Sequence, residues 1–194
     1  MPENVAWHAQ ARPAGGGLIM ARIQFVDGHD ANTAALVNRI KQQRRGTVLK
    51  LYQVLLNSPA LAESWFEHLN AVRWKTELTG RLRELVIIRI AFIHTVQYVI
   101  KQHIPNLAQA DGVTLEECEA LRLGNNASSF SEAELAALVY AEAMTRTVDV
   151  PDDVFANLVP HFNEKQIVEI TVLIATYNMH LRVIKALQIE PEDQ

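Results

Sequence analysis

Arg81-Leu-Arg-Glu84-Leu-Val-Ile-Ile-Arg89-Ile-Ala-Phe-Ile-His94-Thr-Val-Gln-Tyr98-Val-Ile-Lys-Gln-His103 is the stretch on which the reading of this chain turns. Between residues 80 and 93 the apolar side chains leave no continuous polar face, so the helix predicted there runs through the interior. One carboxylate, Glu84, and one imidazole, His103, are embedded in this apolar setting. Half-buried acids and histidines are where proton chemistry tends to sit. The two are nineteen residues apart. On one unbroken helix that interval spans about 28 Å, too far for cooperation. They meet only if the chain turns back between them, and His94-Thr95 is the credible break, with Thr95 as N-cap of the next helix. If they meet, the imidazole titrates near neutrality while the carboxylate fixes its tautomer. Tyr98 is a further donor within reach of the same cleft. The spacing leaves a second reading open, in which Glu84 pairs with Arg81 one turn earlier and His103 is a satisfied core histidine.

Outward from this stretch the pattern stays helical. Periodicity predicts helices over 31–45, 47–57, 59–74, 80–93, 96–110, 115–123, 132–146, 152–159 and 164–187. Thr114-x-x-Glu117, Ser131-x-x-Glu134 and Asn163-x-x-Gln166 read as capping boxes that mark three of the starts. Pro59 and Pro151 stand near two others, where a missing N–H costs little. Pro105 falls inside the second half of the 96–110 helix and predicts a kink or break there. No alternating strand pattern occurs, so the expected fold class is all-α, a single helical domain over 26–194. Residues 1–25 read as a flexible tail, since Ala-Arg-Pro-Ala-Gly-Gly-Gly near its middle has neither helical nor strand periodicity.

Composition narrows the function classes. With 49% hydrophobic and 21% charged residues the chain has the make-up of an ordinary soluble domain. A net charge of -4 argues against nonspecific nucleic-acid binding, which needs a basic surface. The best apolar run is interrupted by Arg89 and predicts no membrane span. One cysteine, Cys118, excludes an intrachain disulfide and makes a cytoplasmic location the expectation. No His-x-x-x-His or Glu-x-x-His motif occurs, and Gly15-Gly-Gly17 follows no strand, so neither a metal nor a phosphate-binding cofactor is expected.

Arg83-Glu84-Leu85-x-Ile-x-Arg-Ile-Ala, followed by Tyr98, His103 and Gly112-Val-Thr, resembles the carboxymuconolactone decarboxylase family, which includes the alkylhydroperoxidase D-like proteins. Gly46-x-x-Leu49-x-x-Tyr52 and Leu56-x-Ser58-Pro59 upstream extend the likeness. So do Ala120-Leu-Arg-x-Gly124, Phe155 and Tyr177-Asn178-x-x-x-Arg182 downstream. The resemblance covers roughly residues 40–187. It implies an all-α fold, assembly into homo-trimers or hexamers, and active sites near subunit contacts.

In the peroxidase branch the resemblance implies a Cys-x-x-Cys ahead of the histidine. Here those positions are Val96 and Val99, which cannot form a thiolate. The cysteine-free branch implies cofactor-free loss of carbon dioxide from a small organic acid. His103 is then the proton donor or shuttle, Glu84 orients it, Tyr98 assists, and Arg81 or Arg89 binds a substrate carboxylate. A noncatalytic oligomeric binding module and a redox protein using Cys118 are the other two readings. The His103-to-Gly112 interval is a residue longer than the family pattern implies, with Pro105 inside it.

Overall fold

In a computed structural model the chain is described over residues 21–26, 28, 31–44, 46–124 and 129–192. Among these residues there is no strand, and the fold is an all-α bundle. Its helices are α1 (Ala31–Gln43), α2 (Lys50–Leu55), α3 (Pro59–Trp74), α4 (Gly80–His94), α5 (Gln97–Gln102), α6 (Leu115–Leu123), α7 (Glu132–Arg146), α8 (Asp152–Leu158) and α9 (Glu164–Leu187). A π-helical turn, His103–Ala108, continues α5.

The helix that is apolar all round is the central one. Every residue of α4 from Leu82 to Ala91 is buried. It packs against α5, the π-turn, α6, α7 and α9. By length and composition α9 is apolar enough to cross a bilayer. Its stripe of Ile170, Leu173, Ile174, Tyr177, Leu181 and Ile184 is instead buried in the main core cluster with Val86, Ile87 and Ile90 of α4. All three capping boxes form, at Thr114, Ser131 and Asn163, each with reciprocal side-chain and backbone bonds.

The reversal after α4 falls at His94-Thr95, where the sequence predicts it. Its chemistry differs from the expected N-cap. Thr95 adopts the left-handed conformation, φ 53° and ψ 46°. Val96 N–H donates to Ala91 O at 3.0 Å and Thr95 N–H to Phe92 O at 3.0 Å, a Schellman closure of α4. The Thr95 hydroxyl donates to His94 O and accepts from no N–H of the next helix, whose N-cap is Val96. The same closure ends the π-turn, with Val113 N–H on Ala108 O and Gly112 at φ 79°. There the left-handed residue is glycine, which carries no Cβ penalty.

Pro105 does not break the helix. Gln97 to Ala110 stays helical, and the turn from His103 to Ala108 widens to π geometry. A wide turn accommodates the missing donor. Residues 1–20 of the expected tail lie outside the described residues. Residues 21–25 of the expected tail, and Val26 at the start of the expected domain, pack on the bundle. Ala21 is buried, Arg22 N–H donates to Leu187 O at 2.8 Å, and Val26 N–H to Gln53 O at 2.9 Å.

A β-branched residue in the left-handed region is strained by roughly 1–2 kcal/mol. Thr95→Gly should therefore stabilise the fold by about 1 kcal/mol after the extra freedom of unfolded glycine is subtracted. Urea denaturation reads this directly; a lower midpoint would show that Thr95 is relaxed in its turn.

Candidate active site

The turn at Thr95 folds α5 back along α4 and brings the two ends of the opening stretch together. His103 Nδ1 lies 2.6 Å from Glu84 Oε2. Glu84 is fully buried on α4, and His103 is the first residue of the π-turn. The other carboxylate oxygen, Oε1, accepts from the Arg73 guanidinium at 3.2 Å, with Arg83 Nε at 3.8 Å. Arg73 comes from the last turn of α3 and donates its other arm to Tyr177 Oη of α9 at 2.8 Å. Arg83 is held in turn by Asp111 Oδ2 at 3.0 Å. Asp111 approaches so closely that a Cβ on Gly80 would meet its carboxylate at 2.1 Å, which is why α4 begins with glycine.

Burial alone would push the Glu84 carboxyl up. The His103 ring, Arg73 and Arg83 together hold it below the usual carboxylate range. Burial pushes His103 down; the Glu84 carboxylate pulls it up, and Arg73 and Arg83 oppose that pull, leaving it below its ordinary value. The pair at neutral pH is thus a carboxylate and a neutral imidazole. A carboxylate can only accept, so the ring proton sits on Nδ1 and the lone pair on Nε2. His103 Nε2 makes no hydrogen bond to any described residue.

That free edge belongs to a cavity of about 650 Å³, whose wall includes His103, Tyr98, Tyr177, His180, Arg44 and Lys101. Glu84 stands behind His103 and does not line it. Tyr98 donates its hydroxyl to Glu192 Oε1 at 3.1 Å, and burial followed by the Glu192 charge keeps that hydroxyl protonated well past its usual range. Arg44 hydrogen-bonds Asn70 Oδ1 and Gln43 O, and it makes no ion pair with a described carboxylate.

Arg81 and Arg89, the expected carboxylate binders, point elsewhere. Arg81 bonds Glu117, Glu134 and Gly112 O, tying α4 to α6 and α7. Arg89 bonds Leu121 O and Glu142. Neither lines the cavity, and Arg81 does not pair with Glu84.

The sequence reading missed Arg73 and His180. Each interrupts an apolar stripe: Ala62, Phe66, Leu69, Arg73 on α3 and Leu173, Tyr177, His180, Ile184 on α9. A polar group at a stripe position is buried by its neighbours and must find a partner inside. His68, His94 and His180 are each bonded within the bundle, to Thr176, Asn178 and Trp65. No group of three or more metal-binding side chains occurs among the described residues.

Cys118 is buried on α6 among Leu85, Ile88, Ala108 and Val113. Burial, and then the Glu117 and Glu84 charges, push its thiol up to about 11. It is protonated at neutral pH and a poor nucleophile.

This geometry defines an all-α protein with a buried acid–imidazole pair whose imidazole lines a cavity of mixed polar and apolar wall. Residues 59–143 match the model of the Carboxymuconolactone decarboxylase family, in keeping with the resemblance that the sequence carries. No curated protein matches it. Among solved structures it is similar to an uncharacterized peroxidase-related protein from Silicibacter sp. TM1040. That pair shares 17% identity over 93% of this chain and 96% of the other, with a TM-score of 0.78. A second is an alkylhydroperoxidase AhpD core, an uncharacterized peroxidase-related protein from Ralstonia eutropha JMP134, at 15% identity over 94% and 95%, TM-score 0.77. A third is the debrominase Bmp8 in complex with 2,3,4-tribromopyrrole, at 17% identity over 91% and 93%, TM-score 0.72. At these identities the likeness is one of fold, and fold does not select a reaction.

Two outcomes test this description. Between about pH 6.5 and 4.5 the unfolded chain protonates its histidines while folded His180, pushed down to about 3, resists, and folded His103 is depressed in the same direction. The unfolded state binds more protons there, so stability falls with falling pH, by up to about 1.4 kcal/mol per pH unit for His180, and His103 adds in the same direction. Glu84, also depressed, adds stability present above about pH 4.5 that is lost as the pH drops through its folded value. Urea midpoints across this range should decline toward acid; a flat profile would contradict neutral buried imidazoles. Cys118 should resist iodoacetamide in the native protein at pH 7 and react fully once unfolded, as read by intact mass. Rapid native labelling would overturn its sealed position.

Proposed function

We propose that the protein is a cofactor-free proton-transfer enzyme, a decarboxylase or related lyase acting on a small organic acid through Glu84 and His103. The observation that carries this reading is the 2.6 Å bond between His103 Nδ1 and Glu84 Oε2, which leaves Nε2 facing the cavity. Glu84 fixes the tautomer and stabilises an imidazolium when one forms. A substrate carboxylate in the cavity adds negative charge beside His103 and favours its protonation at Nε2. Loss of carbon dioxide breaks the carbon–carbon bond and leaves its electron pair on the substrate as an extended enolate. His103 delivers the proton to carbon and regains one from water, so the net reaction consumes one proton and releases one carbon dioxide.

Arg44 and Lys101 on the cavity wall supply positive charge for the acid, the role first assigned to Arg81 and Arg89. Tyr98 adds a protonated hydroxyl to the wall. The dithiol chemistry of peroxidases finds no support, since Val96 and Val99 occupy the cysteine positions and Cys118 is sealed on another helix.

Carbon dioxide release from carboxymuconolactone and a panel of related lactone acids is the direct assay. His103→Ala should lower kcat/KM by at least about 100-fold, the contribution of a positioned acid–base group. Glu84→Gln should do the same through loss of the buried charge. Circular dichroism should show both variants helical, and undiminished turnover in His103→Ala would sink the assignment.

A further inference from the structure

A second imidazole lines the same cavity with the opposite polarity. His180 of α9 is buried, and its Nδ1 lies 3.3 Å from Trp65 Nε1 of α3. An indole nitrogen only donates, so His180 Nδ1 is an acceptor and the ring proton is on Nε2. His103 carries its proton on Nδ1, given to Glu84, and presents a lone pair at Nε2. The two rings flank Tyr177, with centroids 5.5 Å from it for His180 and 5.8 Å for His103. Neither Nε2 bonds a described residue. Nor is either among the sealed, unpartnered polar atoms, which are Tyr52 Oη and Arg83 Nε alone among the described residues. Both nitrogens therefore meet open cavity space, one as acceptor and the other as donor.

We propose that His180 is a second catalytic residue, whose Nε2–H donates to the substrate oxygen on which negative charge develops while His103 moves the proton at carbon. The proposal rests on the acid–base reading of Glu84 and His103 and names the group that reading leaves out. Breaking a carbon–carbon or carbon–hydrogen bond next to a carbonyl sends an electron pair toward oxygen. A fixed N–H aimed at that oxygen stabilises it most when charge has built up. A neutral imidazole is suited to this, because it cannot lose the proton to the substrate and does not compete with His103. Burial, with His103 and Arg73 nearby, pushes His180 down to about 3, so the N–H form persists across the physiological range. Trp65 is then a positioning residue that selects the tautomer.

The test uses the full chain labelled with nitrogen-15 histidine and 4-nitrophenolate as the probe. Its oxyanion imitates an enolate oxygen, and its ring suits a wall that holds Tyr52, Tyr98 and Tyr177. His180 should appear as the neutral Nε2–H tautomer from about pH 5 to about pH 8. Trp65→Phe should scramble that tautomer. Phenolate should move the His180 and His103 resonances together. His180→Phe should weaken phenolate binding about tenfold or more, while His180→Gln, which keeps a donor, should restore most of it. A His180 that titrates near neutrality or carries its proton on Nδ1 overturns the proposal. Phenolate that moves His103 but not His180, or binds His180→Phe unchanged, overturns it while leaving the Glu84–His103 reading intact. Phenolate that moves neither ring overturns both. If His180→Phe fails to fold, the wild-type titration and Trp65→Phe decide alone.

Discussion

Glu84 is a full negative charge with no exposure to water, and the arrangement around it follows from keeping it there. An unpaired carboxylate in such a place would take up a proton. Two arginines and an imidazole N–H prevent this, and each is drawn from a different part of the chain: Arg73 from α3, Arg83 from the first turns of α4, His103 from the π-turn. The partners need support of their own, so Arg73 holds Tyr177 and Arg83 holds Asp111. One buried charge thereby links α3, α4, α9 and the segment before α6. Removing a single partner leaves the others uncompensated, and such losses typically cost about 3–5 kcal/mol.

The helices could be read because their signals are local. Capping residues, proline positions and the all-round apolar character of 80–93 fix elements without reference to the rest of the chain. The reversal at His94-Thr95 was legible for the same reason, as the one interruption in a long helical pattern. The identity of the partners was not legible. Arg81 lies one turn from Glu84 and Arg73 lies eleven residues away in another helix, yet Arg73 makes the bond. Sequence spacing favours the near arginine; the direction of the side chains around α4 favours the far one. Arg81 and Arg89 face α6 and α7, whose Glu117, Glu134 and Glu142 could not be assigned to them before those helices were packed.

Pairing also separates the histidines into two groups. His68 and His94 bond polar side chains of α9 and serve as ties between helices. His103 and His180 each use one nitrogen in such a tie and leave the other to the cavity. A histidine count cannot make that distinction, whereas the hydrogen-bond partner of each ring nitrogen does.

The π-turn has a consequence for how this cavity can vary. Adding one residue to an α-helix rotates everything beyond it by about 100°, which would swing an entire packed face out of register. Here a wide turn spans His103–Ala108, and the helix resumes to Ala110 before Gly112. Pro105, Asn106 and Leu107 of that turn are part of the cavity wall. Chain length in this turn therefore bears directly on the shape of the chamber. Two proteins with identical Glu–His chemistry and the same helices could differ in what they admit through a single inserted or deleted residue.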